Sequence, residues 1–390
     1  MTSHEARALL AGLRARQSAM VALLGRFVRA ESPTDAKAAV DRFGRLLATE
    51  WRRRAARVTV IPQKRAGDHL QVVWPAPTAT QSHNDILVLG HIDTVYDLGT
   101  LRTMPFRQAR GHAFGPGAFD MKGGLVIALF AVEALQKAGW RPSRRVVFLW
   151  TSDEETGSAT SRALIENAAR HSDAVLVLEP AAGLDGRLKT RRKGVGTAEL
   201  IITGRAAHAG LNPQNGVNAV HEMALQAARI AKLTDFRRGI TVSPTLATGG
   251  SRSNVIPASA RLTIDLRAER QADMRQIERR LKSLRPILPG AKVELRGGFS
   301  RPPLERAASK ALFARAQKAA RSLGLSLRET SAGGGSDGNF TAALGVPTLD
   351  GLGAVGEAPH SPNENVIISA LPERAALLAV LLASLASDGL

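Results

Sequence analysis

The chain has 390 residues, a formal net charge of +19 at pH 7 and no cysteine. One hydrophobic core rarely grows beyond about 250 to 300 residues, so this length favours two domains. The lack of cysteine excludes disulfides and thiolate ligands, and it leaves histidine and carboxylates as the strong metal ligands. No apolar run approaches the roughly 20 residues that span a bilayer, and residues 1–29 lack the pattern of an export signal. We therefore expect a cytoplasmic protein with no membrane partner.

The positive charge first suggests a polyanionic partner such as a nucleic acid. However, most of the excess is arginine scattered through predicted helices, aromatic residues make up only 4%, and tyrosine occurs once, so surfaces for stacking bases are few. The basic runs at 52–54 and 191–193 are typical of solvated faces. We expect no specific nucleic-acid partner, and a non-enzymatic protein that binds polyanions stays open as an alternative.

Strand-like and helix-like segments alternate in the first half of the chain. Short apolar strands are predicted over 86–90, 145–151 and 173–178, and helices over 123–138 and 161–170 lie between them. Strands that alternate with helices are typical of a parallel sheet with crossover helices. The sequence therefore predicts an α/β fold built on a mixed, mostly parallel sheet flanked by helices.

A different pattern begins near Lys193. Alternating strands and two helices follow, over 196–204, 215–233, 260–266, 271–284 and 291–296. Helices among antiparallel strands indicate an α+β domain inserted at 193–302, between residues 1–192 and 303–390 of the main domain. The segment 297–303, rich in glycine and proline, is interpreted as the return linker.

Five potential metal ligands stand at positions that a parallel sheet would bring together. They are His91, Asp120, Glu155, Glu179 and His360. His91, Glu155 and Glu179 follow the ends of three predicted strands, and the carboxyl ends of strands in an open parallel sheet line one crevice. Each residue taken alone also has an ordinary structural explanation, such as a buried histidine paired with a neighbouring aspartate, a helix cap or a solvated acidic turn.

The neighbours of these residues also suit a metal site. Asp93 stands two residues after His91, so in an extended chain its side chain points to the same side and can accept the second ring N–H. Asp120 lies in the segment 115–124, where glycines allow a close approach of the backbone just before a helix. The adjacent carboxylates Glu154 and Glu155 would repel each other without nearby cations. Three ligand carboxylates and one bridging hydroxide would balance the charge of two Zn²⁺ ions.

Seven motifs, in this order, resemble those of one enzyme family. They lie at 91–95, 115–124, 153–157, 178–180, 207–210, 333–337 and His360, and the match covers nearly the whole chain. The chain resembles the aminoacylase, acetylornithine deacetylase and glutamate carboxypeptidase family of co-catalytic zinc peptidases, most closely its glutamate carboxypeptidase branch. This resemblance implies a zinc exopeptidase-like catalytic domain and, over 193–302, a ferredoxin-like lid and dimerisation domain that forms a homodimer.

The resemblance implies two Zn²⁺ ions per subunit, for which Co²⁺ or Mn²⁺ could substitute. His91 and Glu179 would bind one ion, Glu155 and His360 the other, and Asp120 would bridge them. Two such ions would polarise a scissile carbonyl and lower the pKa of a shared water. The implied reaction is hydrolysis of a peptide or N-acyl amide bond next to a free α-carboxylate, as in carboxypeptidases and aminoacylases.

The same resemblance assigns catalytic roles beside the metal ions. Glu154 would be the general base, which takes a proton from the water and passes it to the leaving amine. Asp93 would support His91, and His208 would reach the partner subunit's active site to stabilise the developing oxyanion. A lone histidine in a turn can also be simply exposed, so the role of His208 depends on the resemblance.

Four positions are implied to hold the substrate, which would be an N-acyl amino acid or a peptide. Arg267 suits a two-point clamp on a carboxylate, and Asn254 lies at a matching family position. Backbone N–H groups at Gly334 and Gly335 could help to cradle the same carboxylate. Asn254 and Arg267 could instead be structural residues at strand ends, and the amino acid released is not legible from the sequence.

A serine hydrolase is the rival enzyme. Residues 334–338 fit the nucleophile-elbow pattern with Ser336 as nucleophile, and Asp350 and His360 follow in the chain order of an α/β-hydrolase triad. This alternative leaves His91 and the ligand carboxylates without a role. Loss of activity with a chelator, but not with a serine-directed phosphonate, would distinguish the two enzymes.

Overall fold

The computed structural model describes residues 1–74 and 85–388. Its helices are, in chain order, α1 (Ser3–Arg14), α2 (Gln17–Arg29), α3 (Lys37–Arg52), α4 (Gly123–Lys137), α5 (Arg162–Arg170), α6 (Ala219–Ala231), α7 (Gln271–Lys282), α8 (Arg306–Ser322), α9 (Gly338–Ala343) and α10 (Ala370–Asp388). Its strands are β1 (Arg57–Ile61), β2 (His69–Trp74), β3 (Asp85–His91), β4 (Arg107–Ala109), β5 (His112–Phe114), β6 (Val146–Thr151), β7 (Ser172–Val177), β8 (Leu188–Arg192), β9 (Gly194–Thr203), β10 (Ala207–His208), β11 (Thr241–Gly249), β12 (Val255–Ile256), β13 (Ser259–Ala268), β14 (Lys292–Arg301), β15 (Glu329–Ala332), β16 (Thr348–Leu349), β17 (Gly356–Glu357) and β18 (Asn365–Ile367).

The chain divides into two compact units. The first unit comprises Met1–Arg191, Arg306–Ala332 and Ser336–Leu390, and the second unit comprises Arg192–Glu305 and Gly333–Gly335. The predicted insert at 193–302 did not include the glycine loop. This loop belongs with the second unit because the Arg192 side chain donates hydrogen bonds to the carbonyls of Gly334 and Gly335, at 3.1 and 3.2 Å. The role of the second unit as a lid and dimerisation domain stays a prediction.

The first unit is built on a six-stranded sheet with the order β1-β2-β6-β3-β7-β16. β3 runs parallel to β6 and β7, and β16 runs parallel to β7. β2 is antiparallel to both β1 and β6. This sheet confirms the predicted α/β fold with a mixed, mostly parallel sheet. Two smaller sheets accompany it, one of β17, β18, β5 and β4 and one of β15 and β8.

Apolar clusters cover both faces of this sheet. Val88 of β3 packs in the cluster that contains Leu125 of α4, whereas Leu87 and Leu89 pack in the cluster that contains Ile165 of α5. Successive residues of a strand point to opposite faces, so a strand that is buried on both sides needs a continuous apolar run. That requirement explains the apolar sequence of β3, which ends directly at His91.

Helices α4 and α10 pack against each other beside this sheet. α4 is buried at every position from Gly123 to Val132, so it has no polar stripe in that stretch. Leu377 and Leu381 of α10 belong to the same apolar cluster. Among the described residues, no helix is long and apolar enough to cross a membrane.

The second unit is an α+β domain with a four-stranded antiparallel sheet in the order β11-β13-β9-β14. Alternate residues of β9 and β13 are buried, as a sheet with one covered face requires. Leu200 and Leu262 lie on that face, where they pack with Ile230 of α6 and Ile277 of α7. The two helices therefore supply the core of this unit from one side of the sheet.

The interpretation of 297–303 as a linker is wrong for its first five residues. β14 continues to Arg301 and pairs with β9 throughout, with a shift of register between Phe299 and Arg301. Gly297 has a φ of 75°, and a Cβ atom there would lie 2.5 Å from the carbonyl oxygen of Thr197. The glycine therefore serves a close approach between two strands, although in sequence it is indistinguishable from a loop glycine.

Candidate metal centre

Three of the predicted ligands stand where parallel strands end. His91 is the last residue of β3, Glu179 follows β7 by two residues, and Glu155 lies in a helical turn just after β6. The parallel register aligns these ends at one edge of the sheet, with His91 opposite Thr151 of β6. Asp120 arrives from the loop that precedes α4. The topology therefore brings the side chains together at the edge where open α/β sheets bind their ligands.

The predicted ligands form two groups that share one carboxylate. The inner group consists of His91, Asp120 and Glu179, and the outer group consists of Asp120, Glu155 and His360; within each group the potential ligand atoms lie within 4.8 Å of one another. His91 Nε2 lies 3.2 Å from Asp120 Oδ1 and 3.6 Å from Glu179 Oε1. His360 Nε2 lies 3.3 Å from Asp120 Oδ2 and 3.4 Å from Glu155 Oε1. Each oxygen of Asp120 thus faces a different group, as a bridging ligand requires.

The residues present fit a pair of divalent cations. Among the described residues, Asp120 and Glu155 form ion pairs only with the two histidines, His91 and His360. Glu155 Oε1 is buried, and within the described part of the chain it has only the His360 ring, at 3.4 Å, beside it and no hydrogen bond of good geometry. A buried carboxylate oxygen without a donor is costly unless a cation binds it. One imidazole and two carboxylates per group are also donors that Zn²⁺ accepts.

The acid–base properties of the site point in the same direction. Burial alone would lower the pKa of His91, but the carboxylates of Asp120 and Asp93 raise it well above its ordinary value. The carboxylates of Asp120 and Glu155 raise the pKa of His360 to about 10. Burial would raise the pKa of Asp120, but the two histidines hold it far below its usual range. The cluster therefore favours positive charge at both histidines, a charge that metal ions would supply in place of protons.

The second ring nitrogen of His91 faces both the backbone carbonyl and the carboxylate of Asp93. His91 Nδ1 lies 3.0 Å from the backbone carbonyl oxygen of Asp93 and 3.4 Å from its carboxylate Oδ1. The other carboxylate oxygen accepts hydrogen bonds from the Thr34 hydroxyl, at 2.8 Å, and from the Glu155 N–H, at 3.3 Å. The backbone carbonyl can hold the proton on Nδ1, which leaves Nε2 to face the inner group.

The general base predicted from the sequence, Glu154, starts the helical turn Glu154–Thr156 beside the outer group. A chain of hydrogen bonds that the sequence did not reveal holds this loop. The Ser152 N–H donates to His69 Nδ1 at 3.2 Å, His69 Nε2 lies 3.1 Å from Thr160 Oγ1, and that hydroxyl donates to Asp153 Oδ2 at 2.7 Å. No motif marks His69, because its partners lie more than 80 positions away in the chain.

The second unit holds the other predicted residues. His208 is exposed, and its Nδ1 accepts the N–H groups of Gly210 and Leu211 at 3.1 and 3.0 Å. Asn254 is also exposed. It lies near His208, because the N–H of the next residue, Ala209, donates to the Asn254 carbonyl at 2.9 Å.

Arg267 of β13 is half-buried, and its guanidinium makes a two-point pair with Asp265, with Nε at 3.0 Å and Nη2 at 2.9 Å. This pair gives the guanidinium a carboxylate partner within its own strand. The carbonyls of Gly334 and Gly335 accept hydrogen bonds from Arg192, whereas the predicted binding of a carboxylate would use their N–H groups.

The geometry does not support the serine-hydrolase alternative. Ser336 is fully buried, and its hydroxyl donates directly to Asp350 Oδ2 at 2.5 Å. His360, the base that a triad would need between them, instead approaches Asp120 and Glu155. Ser336 and Asp350 therefore form a buried structural hydrogen bond.

Two ligand groups that share one carboxylate, at the carboxyl edge of a mostly parallel sheet, are an arrangement typical of two-metal hydrolases. The chain belongs to peptidase family M20/M25/M40, whose family model matches residues 87–384. The family predicted from the motifs is thereby confirmed. Membership of a family of hydrolytic enzymes leaves the non-enzymatic alternative without support.

Two curated relatives match most of the chain. Carboxypeptidase G2 of Pseudomonas sp. (strain RS-16) is 33% identical over 379 residues, which are 95% of this chain and 90% of that protein. A succinyl-diaminopimelate desuccinylase of Verminephrobacter eiseniae (strain EF01-2) is 28% identical over 302 residues, 73% of this chain and 74% of that protein.

Solved structures show the same fold. Aminopeptidase PepT of Bacillus cereus ATCC 10987 has a TM-score of 0.79 at 21% identity and covers 95% of this chain and 99% of its own. The YXEP protein of Bacillus subtilis, described as a dinuclear metal binding peptidase, has a TM-score of 0.68 at 14% identity and covers 96% and 99%. At these identities the likeness concerns the fold.

Proposed function

We propose that the protein is a two-zinc hydrolase that cleaves a peptide or N-acyl amide bond next to a free α-carboxylate, as a carboxypeptidase or aminoacylase does. The observation that carries this proposal is the Asp120 carboxylate, whose two oxygens face two separate ligand groups. The names of the relatives support it, because one is a carboxypeptidase and the other removes a succinyl group.

Each residue of the site has a defined part in this proposal. His91 and Glu179 would hold one ion, Glu155 and His360 would hold the other, and Asp120 would contact both. Bound zinc would lower the pKa of a water and polarise the scissile carbonyl. Co²⁺ or Mn²⁺ could take its place, because the ligands are imidazole and carboxylate only.

Glu154 is the general base in this scheme. It stands next to Glu155 in the same helical turn, so its backbone lies beside the outer group. Glu154 removes a proton from the attacking water and delivers it to the leaving amine. Asp93 keeps His91 in the tautomer that presents Nε2 to the inner group.

The second unit contains the residues that we propose bind the oxyanion and the substrate carboxylate. Because His208 Nδ1 accepts two backbone N–H groups, the ring proton of the neutral imidazole belongs on Nε2. That tautomer is a hydrogen-bond donor at Nε2, as a group that stabilises an oxyanion must be. We assign this role to His208 acting in the partner subunit of a homodimer, and carboxylate binding to Arg267 with Asn254, Gly334 and Gly335. A cytoplasmic location stays a prediction.

The test is a zinc titration of the purified protein, followed by assays with N-acyl amino acids and dipeptides. We expect two zinc ions per chain, loss of hydrolysis after demetallation, and recovery with Zn²⁺, Co²⁺ or Mn²⁺. The matched control substrate carries an amide in place of the α-carboxylate and should be cleaved poorly. Undiminished activity in the fully demetallated protein would contradict the proposal, as would equal cleavage of the control substrate.

A further inference from the structure

A buried carboxylate outside the ligand groups accepts several backbone hydrogen bonds from the loop that carries Asp120. Glu364 is 0% exposed. Its Oε1 accepts the N–H groups of Phe119 and Asp120, at 2.8 and 2.9 Å, and its Oε2 accepts the N–H of Gly117 at 3.2 Å. The ligand Asp120 is therefore held through its own backbone N–H by the side chain of a residue 244 positions away.

The same carboxylate is also tied to the segment that carries His360. The Tyr96 hydroxyl contacts Glu364 Oε2 and lies 3.1 Å from the carbonyl oxygen of Ser361, the residue after His360. The Glu364 N–H donates to that Ser361 carbonyl at 3.0 Å. Glu364 thus lies between two loops, and each loop supplies one ligand of the outer group.

Both loops need such an anchor because their backbones are irregular. Gly117 has a φ of 70°, and His360 has a φ of 58°, a left-handed conformation that non-glycine residues adopt only when surrounding contacts hold them. The N–H groups at 117, 119 and 120 have Glu364 as their acceptor. A buried N–H without an acceptor is costly, and the two oxygens of a carboxylate offer enough acceptor positions for all three.

The inner group is anchored differently. His91 ends β3, and Glu179 follows β7, so both are placed by buried neighbouring strands of the large sheet. Within the inner group, only Asp120 lies on the loop whose backbone N–H groups donate to Glu364. The outer group depends on that loop for Asp120 and on the adjoining segment for His360.

We infer that Glu364 is a positioning residue for the outer group, which it completes by fixing Asp120 and His360 relative to each other. This inference rests on the proposed two-cation function. It predicts an unequal effect of removing the carboxylate. The affinity for the outer zinc ion falls about 10- to 100-fold, the range found when residues that orient metal ligands are replaced. The inner zinc ion is weakened much less, because strand ends still place two of its three ligands.

The chain offers a matched control. Glu222 in the second unit is also 0% exposed, and its carboxylate accepts the backbone N–H groups of Ile287 and Leu288 at 3.0 and 2.7 Å. Glu222→Ala removes a buried acceptor of the same kind. Glu222 is distant in sequence from the predicted ligands, which all belong to the first unit. The Tm of this variant measures how much thermal stability is lost when a buried acceptor is removed and the predicted ligands are left unchanged.

The experiment measures zinc stoichiometry and stepwise affinity by chelator competition, with the Co²⁺ absorption spectrum as a second readout. Wild type and Glu222→Ala should bind two zinc ions with equal affinities. Glu364→Ala should keep one tight ion, and Glu364→Gln should lose less affinity because its single Oε1 can still accept from Phe119 and Asp120. If Glu364→Ala does not fold, Glu364→Gln decides.

Two results would overturn the inference alone: both ions bound as tightly in the Glu364 variants as in wild type, or both weakened to the same extent. A wild-type protein that binds no zinc would overturn the proposed function and, with it, this inference. Activity is recorded at saturating zinc as well, where kcat of the variants should recover while KM stays near the wild-type value.

Discussion

His360 Nε2 lies 3.3 Å from Asp120 Oδ2. These two residues are the members of the outer group that lie farthest apart in the chain, and one carboxylate oxygen joins them. The other oxygen of Asp120 faces the inner group. The consequence is that the two residues are not equivalent: His360 serves one group, whereas Asp120 serves both.

Replacement of these two predicted ligands should therefore change the zinc content differently. We expect His360→Ala to retain one zinc ion per chain and Asp120→Ala to retain none at zinc concentrations that saturate the wild type. Metal analysis after gel filtration, with circular dichroism to verify folding, measures this. Equal zinc content in the two variants would contradict the shared role of Asp120.

Glu154 should be needed for turnover and not for metal binding. In Glu154→Gln we expect both zinc ions to remain and kcat to fall about 10²- to 10⁴-fold, since a general base typically contributes a factor of that size. KM should change little. Glu166→Gln, which alters a carboxylate of α5 that pairs with Arg162, is the matched control. Loss of zinc from Glu154→Gln would show that the residue is a ligand instead.

His69 should make the stability of the protein depend on pH. Burial lowers the pKa of His69 below its ordinary value of 6.5, so the folded state binds fewer protons there than the unfolded state. The stability that the neutral ring contributes is present above pH 6.5 and is lost as the pH falls through and below that value. Protonation would also deprive the Ser152 N–H of its acceptor.

The comparison is made with thermal melting of wild type and His69→Asn between about pH 8 and pH 5. Part of the decline in Tm on acidification should disappear in His69→Asn. Thr160→Val, which removes the hydroxyl partner and leaves the imidazole, should lower Tm at every pH. Parallel Tm profiles for wild type and His69→Asn would refute this assignment.

Arg267 should affect substrate binding selectively. Loss of a charged two-point hydrogen bond costs about 1.5–3 kcal/mol, so Arg267→Ala should raise KM roughly 10- to 100-fold with unchanged zinc content. Arg261 lies on the same strand and pairs with Glu199, which makes Arg261→Ala a matched control with a KM near wild type. Steady-state kinetics with an N-acyl amino acid distinguishes them, and equal KM values would exclude Arg267 as the carboxylate clamp.

The sequence predicted the sheet and its ligand edge because the relevant signals are local. The apolar run of β3 ends at His91, and the strands before Glu155 and Glu179 end in the same way. Strand ends in a parallel sheet converge by topology, so neighbouring residues in the chain were enough to indicate the site. The ligand groups in the structure contain the five residues singled out from the motifs.

The residues that support the site could not be found in this way. His69 meets Ser152 across 83 positions, and Glu364 meets Asp120 across 244, and neither contact leaves a periodic or motif-like signal. Gly297 was predicted to lie in a linker because a glycine that allows the close approach of a neighbouring strand and a glycine in a loop look alike in sequence. Contacts between distant loops are decided by packing, which only the folded chain displays.

The two ligand groups have matching donors but unequal access to water. The side chain of His91 is 1% exposed, and that of His360 is 48% exposed. We therefore expect a chelating agent to remove the metal ions in two kinetic phases. The ion of the outer group should leave rapidly, and the ion of the inner group should leave slowly. A half-loaded intermediate would then persist, and its remaining ion would sit between His91 and Glu179, where soluble competitors have little reach.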